Sequence, residues 1–163
     1  MNKIILIGFA TSYKTTVGRL LAEKLQYLFV DTDAEIARRN NLTIKQIFDT
    51  YGEKYFRAKE SQLLTELAQS KQTVVACGGG TVLSGNFAEF VANNVVVWLT
   101  VTAQTVLSRL GDTQRPLFDG LTVEQIDDYI SARNPIYGKF AHFKINTDGK
   151  SADEVAQQIL SLI

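Results

Sequence analysis

What most constrains this chain is a recurring pattern, a short apolar run followed by a stretch of helical periodicity. Ile4-Ile5-Leu6-Ile7, Leu28-Phe29-Val30, Thr73-Val74-Val75-Ala76 and Val95-Val96-Val97-Trp98-Leu99 are the apolar runs, with Phe143-Lys144-Ile145 a weaker fifth. Residues 14–25 place Val17, Leu20, Leu21 and Leu25 on one helical face. Thr43 with Gln46, Thr122 with Gln125 and Ser151 with Glu154 have capping-box spacing, and the last pair opens a terminal helix through Leu162. Strands separated by such helices need parallel crossovers. The expected fold is therefore α/β, a three-layer α/β/α arrangement around a five-stranded parallel sheet covered on both faces. At 163 residues, with no Pro/Gly/Ser-rich linker, the chain fits one domain with a core of its own.

Composition narrows the function classes. Lys plus Arg and Asp plus Glu both number 17, which speaks against a sequence-independent grip on nucleic acid or an acidic membrane. A single cysteine, Cys77, allows no internal disulfide and suits a reducing cytosol; one histidine and one cysteine make a structural zinc site untenable. The apolar run at the N-terminus is too short to span a membrane and reads as a buried strand. Cys77 and Trp98 read as core, and His142 has no visible role.

In parallel sheets ligands gather at the carboxyl ends of the strands. Three unusual segments fall there: residues 8–15, Asp31-Thr32-Asp33 and Gly78-Gly79-Gly80. The first, Gly8-Phe9-Ala10-Thr11-Ser12-Tyr13-Lys14-Thr15, lies where a Walker A loop belongs, with Gly8, Lys14 and Thr15 in register. Backbone N–H groups and the helix start would hold phosphate, Lys14 would neutralise the transferring oxygens, and Thr15 would bind Mg²⁺. Ala10, Thr11, Ser12, Tyr13 and Thr16 complete this nucleotide-binding stretch. Tyr13 stands where the pattern requires glycine, and a tyrosine held at positive φ costs about 1–3 kcal/mol. Converted to affinity, that is roughly a five- to hundredfold loss of nucleotide binding. Replacing Thr11 and Tyr13 with glycine is accordingly expected to tighten ATP binding. Read alone, the segment is equally a strand-to-helix turn with a surface lysine.

Asp31 and Asp33 could serve a metal and a substrate hydroxyl, although Asp33 could simply cap the helix starting at Ala34. Arg57, near Glu53 and Glu60, is either a surface ion pair or a planar fork for a carboxylate. The glycine triplet points to a close approach by ligand or backbone. Arg109 and Arg115-Pro116-Leu117 bracket a polar, glycine-flanked segment at about residues 111–120. It is a candidate lid carrying an arginine, or an ordinary loop. Pro135 is expected to end the helix that carries Arg133.

Together these segments resemble the shikimate kinase family over essentially the whole chain. The resemblance rests on Gly8 with Lys14-Thr15, Asp31-Thr32-Asp33, Gly52-Glu53 with Phe56-Arg57 and Glu60, Gly78-Gly79-Gly80, Arg115-Pro116-Leu117, Arg133-Asn134-Pro135 with Tyr137, and Thr147-Asp148. It implies ATP- and Mg²⁺-dependent phosphorylation of the shikimate 3-hydroxyl on the route to chorismate, within a fold of the nucleoside-monophosphate-kinase type. By this mapping Asp33, Lys14 and Arg115 are catalytic. Asp33, Arg57, Arg133, Gly78, Gly79 and Gly80 hold shikimate, and about residues 33–60 form a substrate-binding helical region. Thr15 and Asp31 serve the metal, and Arg109, Arg115 and Lys150 serve the nucleotide. The expected partners are these small molecules, with no nucleic acid or membrane, for a cytoplasmic monomer. Family members have glycine at the positions of Thr11 and Tyr13, so a weak or inactive relative that binds a shikimate-like acid is the alternative. A kinase for another small hydroxylated acid would keep the same chemistry.

Overall fold

A computed structural model describes residues 3–110 and 120–163 of the chain. Its strands are β1 (Lys3–Ile7), β2 (Leu28–Asp31), β3 (Thr73–Ala76), β4 (Val95–Thr100) and β5 (Phe143–Asn146). They form one sheet in the order β2-β3-β1-β4-β5, with every pairing parallel. The helices are α1 (Lys14–Leu25), α2 (Thr32–Asn40), α3 (Ile44–Ala68), α4 (Phe87–Val91), α5 (Ala103–Leu110), α6 (Val123–Phe140) and α7 (Ala152–Leu160). A 3₁₀ turn covers Thr81–Leu83.

The central strand shows why a continuous apolar run was needed. Strand side chains alternate between faces, and in β1 both faces are buried. Ile5 and Ile7 join a core with Phe56, Leu64, Phe87 and Tyr137 beneath α3, α4 and α6. Ile4 and Leu6 join the opposite core with Val17, Leu21, Val155 and Ile159 from α1 and α7. A smaller cluster joins α5 to α6 through Val106, Leu110, Ile126 and Ile130. All three expected capping boxes form, at Thr43, Thr122 and Ser151.

One expectation needs correction, and one alternative is settled. Helix α6 runs through Pro135 to Phe140 rather than ending there. An interior proline forfeits one helical hydrogen bond and crowds the preceding turn, at a cost of about 3 kcal/mol. Beyond it, however, Tyr137 is buried and Ile136 and Phe140 pack on the same core, each contributing on the order of 1.5–3 kcal/mol. Burial outweighs the break. The cap of α2 is Asp31, whose carboxylate accepts from the Ala34 N–H, and not Asp33. Asp33 is thereby left free of the capping role. Gly52, at φ 81°, kinks α3 where the sequence places Gly52-Glu53.

Candidate active site

The loop after β1 opens on Gly8, whose φ is 144°. A Cβ there would lie 2.2 Å from the Leu99 carbonyl oxygen, so glycine is obligatory. Lys14, the first residue of α1, folds its ammonium back over the loop, donating to the carbonyls of Gly8 at 2.8 Å and Phe9 at 2.7 Å. Ser12 is buried and donates to the Phe9 carbonyl, closing the turn that contains Ala10. The loop therefore curls around an ammonium at its centre, the shape that a phosphate cradle would take. Thr15 donates to the Asp31 carboxylate at 2.5 Å, across the gap between α1 and β2. Thr16 follows on the exposed surface of α1.

Thr11 and Tyr13 both adopt left-handed backbone, at φ 62° and 67°. The steric cost of such geometry is about 1–2 kcal/mol for each residue. The Thr11 hydroxyl adds to it, being buried with no hydrogen-bond partner among the described residues. The strain at these angles is a cost of folding. The Tyr13 ring does not fill the cradle. It stacks on the Arg109 guanidinium, 3.6 Å from carbon to ring centroid, a contact worth about 0.5–2 kcal/mol. Arg109 also donates to the Thr11 carbonyl at 2.8 Å, to the Thr147 hydroxyl at 3.0 Å and to the Thr147 carbonyl at 2.7 Å. Both departures from the glycine pattern thus meet at one arginine. Tyr13, Arg109, Ser108, Gly149 and Lys150 line an open groove of about 400 Å³ beside the loop. Lys150 also donates to Gln158.

On the other side of Lys14, the glycine triplet follows β3. A Cβ on Gly78 would lie 2.3 Å from an Asp33 carboxylate oxygen, and one on Gly80 would lie 2.6 Å from the Arg57 guanidinium. The close approach anticipated from the sequence is made here by the site's own side chains. Gly79 differs, because a Cβ there meets nothing nearer than the Tyr137 hydroxyl at 3.8 Å. Its carbonyl accepts from Arg133 at 3.1 Å and from the Tyr137 hydroxyl at 2.7 Å. Arg57 and Arg133 therefore reach neighbouring residues of one loop, from α3 and α6.

Glu60, 1% exposed, accepts from Arg57 at 3.0 Å and from the Thr81 hydroxyl at 2.7 Å. A buried carboxylate fixing a guanidinium aims its remaining N–H donors. Thr32, also buried, accepts from the Gly78 N–H at 2.8 Å. Thr81, Thr32 and Tyr137 were not singled out as site residues from the sequence. Thr32 and Tyr137 lay within the segments that carry the resemblance, though without a role assigned, and Thr81 directly follows the glycine triplet.

Burial raises the Asp33 carboxyl to about 6, reinforced by the negative charges of Asp31 and Glu60 and opposed by Lys14 and Arg57. A carboxylate with that affinity for protons is ionised at neutral pH and can still accept one from a hydroxyl. The same burial pushes the Cys77 thiol far up, leaving it inert core. His142 is structural, its Nδ1 accepting the Val96 N–H. For a hard divalent cation, Thr15 and Asp31 present a hydroxyl and a carboxylate side by side, the oxygen donors that Mg²⁺ takes together with phosphate and water. Among the described residues no group of three or more carboxylate, histidine or cysteine side chains gathers elsewhere for a metal. Arg115 and the candidate lid, apart from Gly120, lie outside the described residues.

Comparison with known proteins shows what the chain as a whole is similar to. The family described as shikimate kinase matches residues 11–163. A curated shikimate kinase of Moorella thermoacetica is 45% identical over 160 residues, covering 97% of this chain and 92% of that one. The structure of Acinetobacter baumannii shikimate kinase in complex with shikimate superposes with a TM-score of 0.91 at 38% identity, covering 99% and 92% of the two chains. That of Aquifex aeolicus shikimate kinase gives 0.82 at 35% identity, covering 98% and 94%.

Proposed function

The chain belongs to the shikimate kinase family, and we propose on that premise a residue-level account of how it phosphorylates shikimate with ATP. One observation carries the account. Asp33, Lys14, Arg57 and Arg133 surround the glycine triplet at the carboxyl end of the sheet, where an acid and a triphosphate can meet.

Arg57, aimed by Glu60, and Arg133, held at Gly79, bind the shikimate carboxylate. Gly78 and Gly80 leave room for the side chains of Asp33 and Arg57, and the open face at Gly79 admits the ring of the substrate. Asp33 then accepts the proton of the 3-hydroxyl as its oxygen attacks the γ-phosphorus. The bond from that phosphorus to the β–γ bridging oxygen breaks, and ADP leaves. Lys14, which rests on the Gly8 and Phe9 carbonyls in this structure, transfers its donors to phosphate oxygens. Thr15 and Asp31 would hold Mg²⁺, which supplies charge neutralisation for the phosphates when bound. Arg109 and Lys150 serve the nucleoside end, and Arg115 is assigned to the phosphates from the sequence resemblance alone.

A monomer is the oligomeric state assigned from the sequence resemblance, and no helix among the described residues is long and apolar enough to cross a membrane. The family reading is of a cytoplasmic enzyme of chorismate biosynthesis. The alternative of an inactive acid-binding relative has no support, since the Tyr13 ring lies beside Arg109 and the curated relatives carry the name of a kinase. A coupled ADP-release assay is the test. Turnover requiring shikimate, with KM for shikimate raised at least tenfold in both Arg57→Ala and Arg133→Ala, is expected. Shikimate-independent ADP release, or arginine variants that alter only KM for ATP, would overturn the account.

A further inference from the structure

The residue that breaks the glycine pattern of the phosphate loop has a side chain for which the reaction described above has no use. Tyr13 sits between the cradle and the groove, one position before Lys14. Its left-handed backbone turns the ring out of the cradle and onto the guanidinium of Arg109, at 3.6 Å. The N–H edges of that guanidinium are already committed to Thr11 and Thr147. Three hydrogen bonds fix its position, and the ring covers one of its faces. Arginine and tyrosine together form a stacked pair bordering the groove that Ser108, Gly149 and Lys150 complete. A second described cavity, near Ile36, Arg39 and Leu63, lies on the α2–α3 pair and is lined by no residue of the phosphate loop.

A nucleotide whose phosphates occupy residues 8–15 carries a flat aromatic base a few ångströms further on. The groove bordered by Tyr13 and Arg109 lies directly beside the loop, where such a base would fall. Planar guanidinium and aromatic faces are the surfaces on which bases stack without base-specific hydrogen bonds. We propose that Tyr13 is a nucleotide-positioning residue, whose ring braces Arg109 as the platform on which the purine of ATP stacks. This rests on the assignment of residues 8–15 to the phosphates. It gives base and triphosphate adjacent anchors in the chain, Tyr13 for one and Lys14 for the other.

Tyr13→Gly separates this role from backbone strain. Glycine relieves the positive φ and removes the ring, so a strain argument expects tighter ADP and the positioning role expects weaker. In isothermal titrations of the full chain, ADP affinity is expected to fall on the order of tenfold in Tyr13→Gly. Tyr13→Phe is expected to stay within about twofold, because the ring face is kept. Inorganic tripolyphosphate, which has no base, is expected to bind Tyr13→Gly no more weakly than the parent, and in kinetics the loss should fall on KM for ATP rather than on kcat. ADP affinity unchanged or improved in Tyr13→Gly, or tripolyphosphate weakened as much as ADP, overturns the role of the ring. A parent chain that binds neither ADP nor tripolyphosphate removes the phosphate-loop assignment and this inference together. Parent binding with an indifferent glycine variant removes only the inference.

Discussion

Consider Asp33→Asn, a nearly isosteric change that removes the charge from the centre of the site. In the fold the Asp33 carboxyl is raised from 3.8 to about 6, first by burial and then by Asp31 and Glu60. A folded-state value above the unfolded one means that folding favours the protonated form. The associated stability is present below about pH 4 and is lost as pH rises through about 6, so at neutral pH the ionised carboxylate is a net cost. At about 1.4 kcal/mol for each tenfold change in proton affinity, the displacement corresponds to about 3 kcal/mol. Asp33 is partly exposed, and solvent screening reduces this to about 1–2 kcal/mol. Asparagine is neutral at every pH and escapes the cost. For a domain of this length 1 kcal/mol moves Tm by roughly 2–4 °C. Asp33→Asn should therefore melt roughly 3–6 °C above the parent at pH 7.5 without ligands, and the gain should vanish near pH 4. Turnover should fall by about 10²–10⁴ as the proton acceptor is lost. Thermal melts at the two pH values and the coupled ADP assay read both outcomes. A variant no more stable than the parent at pH 7.5, or equally stabilised at both pH values, would refute the electrostatic reasoning.

Two further substitutions probe the remaining contacts. Gly79→Ala should leave Tm nearly unchanged, since its Cβ meets only the Tyr137 hydroxyl at 3.8 Å and the Gly8 carbonyl at 3.9 Å. KM for shikimate should nevertheless rise severalfold, and an unaltered KM would mean that the ring does not approach this face. Glu60→Gln should raise KM for shikimate on the order of tenfold by releasing Arg57, and should lower stability by about 1–3 kcal/mol in denaturant titrations, because a buried acceptor pair is weakened. An unchanged KM with the full stability loss would make Glu60 purely structural.

The sheet, its parallel strands and three helix starts were legible in the sequence because their causes are local. Apolar runs need burial on both faces, and a capping box closes within four residues. The same locality made the proline rule misleading at Pro135, where the deciding term was the burial of Tyr137 against a distant core. The site divides in the same way. Lys14, Asp33, Arg57 and the glycines could be named from motif spacing, yet the reason for each glycine could not. Asp33 fills the space at Gly78, and Arg57 fills that at Gly80. The Gly78 N–H bonds to Thr32, 46 residues away, and the Gly79 carbonyl to Tyr137, 58 residues away.

The phosphate loop is where the two levels part most clearly. By itself the sequence determined that Tyr13 stands where the register of the motif calls for positive φ, a conformation that no side chain adopts without cost. Only the tertiary structure decided where the Tyr13 ring would go. Its partner, Arg109, comes from a helix 98 residues beyond Thr11 and is delivered by the crossover between β4 and α5. Strain is a property of one residue, and its compensation belongs to the fold.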